Sequence, residues 1–424
     1  MSISSKLNLK NNKWLSCKYM ISVEITFSDG DVRKLNPVQI SGLYMEKDYD
    51  HDHLPIMMID LLLNRLDRNK VDDKTIFHIK MTQYYLENDD QNKEKKSPKV
   101  YLDEKFVRLG YGTEPDVSEK LERKSRKADN LKDSDLSPTD LTSQITYVLV
   151  KKSDLLMTKV MTNAVLVDAT MQDIVSWLST YVRCDKKVLM SSFTNSEVHK
   201  EILLQPKIFL EQLIFLEDEF GWYEEGAYIF IDYDKFYIIR KNGKPTAWVK
   251  NDPKQVCFCI SSIESPDENM SGVINQDNIV YISVGKNGYT MSDAAIIEDQ
   301  TDGANIILVN TTTGETTVEK SGTTTLDESG TYTTKMYHGH NPYTLSRFKR
   351  MRKENDHVWD IMCNNSDISY YTPQRQFSFL SDVTKISDTL KGVYRISRMQ
   401  VSFIKNGEFF NNTATIRVKR TSLT

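Results

Sequence analysis

Two short runs of the sequence carry imidazoles and carboxylates at spacings that suit a metal ion. In Asp50-His51-Asp52-His53, adjacent side chains cannot all converge on one ion, but alternate ones can, His51 with His53 or Asp50 with Asp52. His338-Gly339-His340 sets both imidazoles on one side of an extended segment. Copies of that segment gathered on a threefold axis would surround an ion octahedrally, as iron-like metals prefer. Each run also has a plainer explanation: a polar loop ahead of an apolar element for the first, and a turn leading to Pro342 for the second. The plainer one is adopted, so neither a metal nor another cofactor is expected.

Acids recur at Glu217-Asp218-Glu219, at Glu224-Glu225 and at Asp232/Asp234. A pair of carboxylates is what glycoside hydrolysis requires. Their positions at a helix end and in a turn explain them equally well, as solvated surface. Neither Gly-x-Ser-x-Gly, nor His-Glu-x-x-His, nor a phosphate-cradling glycine loop occurs. The five cysteines are Cys17, Cys184, Cys257, Cys259 and Cys363, and the only close pair stands in Val-Cys-Phe-Cys-Ile. A spacing of two in a strand points both thiols to one face, and no further ligand for zinc lies nearby. Cys257 and Cys259 are therefore expected to be buried strand residues. The basic run Lys349-Arg350-Met351-Arg352-Lys353, beside Arg347 and Phe348, is expected to be solvated or to face an acidic protein surface. No catalytic residue is nominated, and the chain is expected not to be an enzyme.

The elements that would position these groups are mostly strands. The 424 residues allow two to four domains, and a net charge of −4 offers no basic field for nucleic acid. No stretch approaches the ~20 apolar residues of a membrane span, nor does a signal-peptide core follow Met1. A chain made in a cytoplasm and kept soluble there is expected. Ile21, Val23, Ile25 and Phe27 share a parity that marks a half-buried strand, and Asp29-Gly30 suits a tight turn after it. Leu54 to Leu63, with Pro55 in its first turn, reads as a short buried core helix. Strands follow at 75–81, 100–109 and 145–150. The polar stretches 87–97 and 113–142 read as insertions with little apolar area to bury.

An α/β portion follows. A strand at 163–168 leads to Thr170, which caps a helix with Asp173 in the capping-box position. A second helix is expected from Pro206 to Phe220, stopped by Gly221, and Trp222-Tyr223 then opens a strand pair at 228–231 and 236–239. The remainder is β again, with strands at 256–263, 278–284, 305–310, 331–337, 376–380, 392–404 and 413–419. Threonine and glycine dominate 311–334, which suggests extended hairpins or an interface finger.

This order of elements resembles the baseplate hub proteins of tailed phages, a family that shares its architecture with type VI secretion spike proteins. The resemblance rests on the early strand hairpin, the Leu54–Leu63 element, the returning Phe77-His78-Ile79-Lys80 strand and the Ala169-Thr170-Met171-Gln172-Asp173-Ile174 helix start. Phe209-Leu210-Glu211-Gln212-Leu213 through Gly221-Trp222-Tyr223 to Phe230-Ile231-Asp232 also resembles phage virion proteins. It implies a mainly β, α+β fold in which two antiparallel tube-type barrels flank a smaller α/β domain. The expected divisions are a first barrel over 1–155 with its charged insertion at 113–142, an α/β domain over 156–250, and a second barrel over 251–424 with Thr/Gly-rich hairpins at 301–336. The implied role is a homotrimeric ring in the virion tail baseplate, joining a sixfold tail tube to a threefold central spike. Tube, spike and other baseplate proteins would be its partners, with neither nucleic acid nor a membrane span involved. A receptor-binding or fibre-adaptor protein is the alternative, and a wall-degrading hydrolase using Glu217 or Glu224 a third.

Overall fold

The structure is a computed structural model that describes residues 14–49, 54–87, 97–109, 142–182, 186–190, 193–223, 227–240, 255–260, 272–276, 278–285, 288–291, 305–310, 316–319, 332–337, 358–373, 375–381 and 390–422. The chain begins with β1 (Leu15–Thr26), β2 (Val32–Lys34), β3 (Ile40–Asp48), β4 (Ile56–Asn64), the short helix α1 (Arg65–Lys70), β5 (Ile76–Glu87), β6 (Lys99–Arg108) and β7 (Thr142–Lys151). Its middle holds α2 (Leu155–Lys159), β8 (Met161–Thr170), α3 (Met171–Tyr181), β9 (Lys187–Met190), β10 (Val198–Ile208), α4 (Phe209–Glu219), β11 (Ala227–Ile231) and β12 (Lys235–Arg240). Then follow β13 (Gln255–Ile260), β14 (Val273–Gln276), β15 (Ile279–Val284), β16 (Tyr289–Met291), β17 (Asn305–Asn310), β18 (Thr316–Glu319) and β19 (Tyr332–Tyr337). The last strands are β20 (Val358–Asn364), β21 (Gln376–Ser381), β22 (Val393–Asn406) and β23 (Phe409–Ser422).

Strand pairing closes on itself. Following β1, β5, β6, β7, β4, β3, β22, β21, β13, β15 and β14 back to β1 traces an eleven-stranded barrel. A shorter circuit runs β1, β5, β6, β7, β4, β3, β22 and β23, all antiparallel, and closes through Tyr19↔Phe410. Closure gives every strand of these circuits a neighbour on both sides. The inward parity is the one the sequence shows in β1: Cys17, Tyr19, Ile21, Val23 and Ile25 are all buried in the main core. The final hairpin β22–β23 lies between β3 and β1, so the two ends of the chain share one sheet and one core. β1 to β7 and β13 to β16 with β20 to β23 are thus hydrogen-bonded into one sheet.

Leu54–Leu63 is not a helix. Met57, Ile59, Leu61 and Leu63 are each 0% exposed, because β4 is paired on both sides by β3 and β7 and turns that parity inward. Asp60, on the other parity, reaches the outer face and accepts from Thr146 Oγ1 at 2.5 Å. A short apolar run cannot be assigned by composition alone, and a carboxylate in its middle is the mark of the outward face of a strand. The helix starts one step later, where the Asn64 side chain caps α1 by accepting from Asp67 N at 2.7 Å.

The middle of the chain builds a second core. The expected capping box is present: Thr170 Oγ1 accepts from Asp173 N at 3.2 Å and Asp173 Oδ2 accepts from Thr170 N at 3.0 Å. Met171, Ile174, Val175 and Leu178 of α3 pack with Phe209, Leu213 and Leu216 of α4. The second helix begins later than Pro206 suggests, since β10 runs through that proline to Ile208. A register shift between Leu204 and Lys207 accommodates the missing N–H there. Trp222 and Tyr223 belong to no strand. Both are fully buried in this core, with Trp222 stacked on Phe193 at 5.1 Å.

One small sheet joins the two cores. In β11 and β12, Tyr228, Phe230 and Tyr237 face the main core, while Ile231, Phe236 and Ile238 face the helical one. Period-2 alternation thus gives this sheet a barrel side and a helix side. Elsewhere, β17 pairs antiparallel with β18 and parallel with β19 as a separate three-stranded sheet inside the threonine-rich region.

Candidate functional site

Several nominated residues lie outside the described residues: Asp50, His51, Asp52 and His53; His338 and His340; Glu224 and Glu225; Cys184; the basic run 347–353; and insertion residues 113–141. Among the described residues, no group of three or more His, Cys, Asp or Glu side chains is placed to hold a metal, and no helix is long and apolar enough to cross a membrane. Cys257 and Cys259 sit as expected in a buried strand. β13 is paired in parallel by β15 and β21, and its other parity (Val256, Phe258 and Ile260) enters the main core. Such a strand, covered on both faces, takes small thiols as apolar filler.

The acids divide sharply, and two of them correct the solvated-surface reading. Glu217 is 2% exposed, and its two oxygens accept from Trp222 N and Ala227 N at 2.8 Å each, tying the loop after α4 to β11. Asp232 is 7% exposed and points into the seam between the two cores. Asp234 behaves as expected, exposed and beside Lys235 at 3.2 Å. Glu217 and Asp232 are thus engaged by backbone amides or a lysine.

The Asp232-Tyr233 turn at the tip of the β11–β12 hairpin gathers three lysines. Lys47 Nζ of β3 reaches Asp232 Oδ1 at 2.5 Å and lies 4.8 Å from the Tyr233 ring centre. Lys151 Nζ at the end of β7 donates to the Tyr233 carbonyl at 2.5 Å and meets Glu104 Oε1 at 3.0 Å. Lys186 Nζ donates to the carbonyls of Asp232 and Tyr233 and to Asp154 Oδ1, each at 2.8 Å. Burial pushes the Asp232 carboxyl up, but Lys47 and the Tyr233 N–H outweigh it and hold it below the ordinary carboxylate value. Burial likewise opposes the charge on Lys47, yet Asp232 keeps that ammonium above its ordinary value. At Asp154 burial wins, and the carboxyl is raised despite Lys186. The cluster holds three cations against three carboxylates, so the charge is balanced within the seam.

Reading the sequence for function missed these lysines, although a signal was present. Lys47 continues the buried parity of Leu43 and Met45, Lys151 that of Tyr147 and Leu149, and Asp232 that of Tyr228 and Phe230. A charge at the end of an inward parity marks a place where another element must cover the strand.

One buried group in the helical core stands apart. Gln212 of α4 is 0% exposed, and neither end of its amide finds a hydrogen-bond partner among the described residues. Gln212→Met is therefore expected to raise stability by about 1–2 kcal/mol. Urea unfolding checks this, and a loss of stability would show that the amide is engaged.

No curated protein matches the chain in sequence. The family model of the Bacteriophage PBS1 gene 109 protein matches residues 9–423. Among solved structures, the tail protein from Neisseria meningitidis MC58 gives a TM-score of 0.53 at 8% identity, covering 95% of this chain and 97% of its own. The 43 kDa tail protein of prophage MuSo2 from Shewanella oneidensis gives 0.46 at 10% identity, with 94% and 98% covered. The E. coli c3393 protein, a component of the type VI secretion system, gives 0.44 at 8% identity, with 91% and 74% covered. The resemblance to phage proteins read from the sequence is met by the family match, and the fold likeness rests on the first structure. Since the family match spans nearly the whole chain, the protein belongs to the family of the Bacteriophage PBS1 gene 109 protein and has the fold of a tail protein.

Proposed function

We propose that this chain is a structural hub of a phage tail baseplate, three copies of which form a ring between the sixfold tail tube and the threefold central spike. The observation that carries the reading is a closed barrel in a member of a bacteriophage family with a tail-protein fold. A closed barrel offers rims and an outer wall for subunit contact and no open edge for uncontrolled pairing. The pairings also trace a circuit of β1, β14, β15, β13, β21, β22 and β23, which shares β1 and the final hairpin with the eight-stranded one. Two barrel-like circuits per subunit, repeated by a threefold axis, would match a sixfold tube. The buried acids and lysines serve packing, in keeping with a role that needs no reactive group. The outer face of the β8–β10 ribbon leaves Val165, Val167 and Leu203 exposed, apolar area that a ring contact would cover.

Light scattering of the purified chain tests the proposal. A mass near three subunits, with threefold particles by negative-stain microscopy, is expected. A monomer at every concentration, alone and with tube and spike proteins present, would overturn it.

A further inference from the structure

We propose that the Asp232-Tyr233 turn is a charge-locked joint: the Lys47–Asp232 pair fixes the α/β module to the barrel, and opening that pair frees the β11–β12 hairpin while the barrel stays closed. The inference concerns the chain itself and does not depend on the ring.

Three features carry it. First, the lysines that grip the turn come from both sides of the seam. Lys47 and Lys151 stand on barrel strands, while Lys186 comes from the segment before β9. One turn is thus bonded to both bodies at once. Second, the two bodies differ in how firmly they hold their own parts. β3, which carries Lys47, is paired along its length by β4 on one side and β22 on the other. Among the described residues β11 pairs only with β12, and β12 meets β9 over Lys235↔Lys187 to Ile238↔Met190. If Asp232 loses its charge, the buried Lys47 ammonium needs water, and the barrel strand cannot move to reach it. The hairpin can. Third, the apolar part of the contact is compact: Phe230 stacks on Tyr237 at 4.5 Å and meets Tyr49 edge-on at 5.1 Å, and Tyr233 meets Phe106 edge-on at 5.6 Å. Phe230, Tyr233 and Tyr237 lie on the barrel side of the hairpin, so they separate from the barrel together.

Hydrogen exchange on the full chain reads the joint directly. Asp232→Asn is expected to speed exchange across 227–240 by at least about tenfold while β1 and β5 keep their protection. The neutral pair Lys47→Met with Asp232→Leu is expected to restore protection at 227–240, because it removes both buried charges together. The unaltered chain supplies a second measurement at rising urea: amides of 227–240 should open as one unit before those of β1 and β5. The proposal is overturned if Asp232→Asn leaves 227–240 unchanged. It is equally overturned if β1 and β5 lose protection in step with the hairpin, in the variant or in urea.

Discussion

Replacing Gly272 by alanine is expected to lower the stability of the folded chain by about 3 kcal/mol or more. Gly272 has φ +136°, a conformation that L side chains rarely adopt. A Cβ there would land on the Leu15 carbonyl oxygen, 2.8 Å from the Leu15 carbonyl carbon and 3.2 Å from Ser16 N. Backbone cannot yield as a side chain can, so β1 and β14 must part. The Leu15↔Val273 pair that closes the eleven-stranded barrel lies immediately beside this position. The rest of β1 remains held by β5, from Leu15↔Glu87 to Thr26↔Ile76. The variant should therefore fold with its closure opened, showing a lower urea midpoint and fast exchange at 272–276. Gly30→Ala is the control. Its φ of +91° also strains an alanine, but nothing lies within 4 Å of the added carbon. A loss of about 1–2 kcal/mol is expected there. Equal losses at the two glycines would show that dihedral strain, and no steric block at the closure, governs Gly272.

Lys186→Met is expected to cost about 3–5 kcal/mol at neutral pH. Both Lys186 and Asp154 have side chains 0% exposed, and the lysine also serves the carbonyls of Asp232 and Tyr233. Without it, the Asp154 carboxylate is buried and unpaired. The pH dependence follows from the direction of the Asp154 shift. Its folded-state pKa is already raised by burial, and loss of Lys186 raises it further. An acid raised on folding carries a penalty above its folded pKa, and that penalty is relieved as the pH falls through it. The difference between variant and wild type should thus be larger at neutral pH than in acid, where the lone carboxyl takes a proton. Asp154→Leu added to Lys186→Met should recover most of the loss by removing the second charge. Urea unfolding at the two pH values measures both effects. A loss independent of pH would mean that the carbonyl bonds, and not the unpaired carboxylate, dominate.

Parity and capping were legible in the residues themselves. The alternation of Ile21, Val23, Ile25 and Phe27 defines a strand whatever it packs against, because side chains of one parity share a face. Thr170 with Asp173 defines a helix start by a bond between near neighbours. Cys257 and Cys259 were placed correctly for the same local reason. Leu54–Leu63 was not, since an apolar run of that length satisfies a helix and a strand alike until neighbours on both sides choose. The fate of the acids was also non-local. Glu217 and Asp232 read as surface beside Asp234, and only the loop folded over the first and the lysine of a distant strand set against the second distinguish them.

The local code of this chain determined that it is mainly β, where the helix after Thr170 begins, and where the helix before Gly221 ends. Bonds and contacts over a few residues suffice for that. Tertiary structure alone decided that the final hairpin closes the eight-stranded circuit and that Lys47, Lys151 and Lys186 meet at one turn. Those partners lie far apart in sequence, and a buried charge reveals its counter-ion only when the element carrying it has been packed.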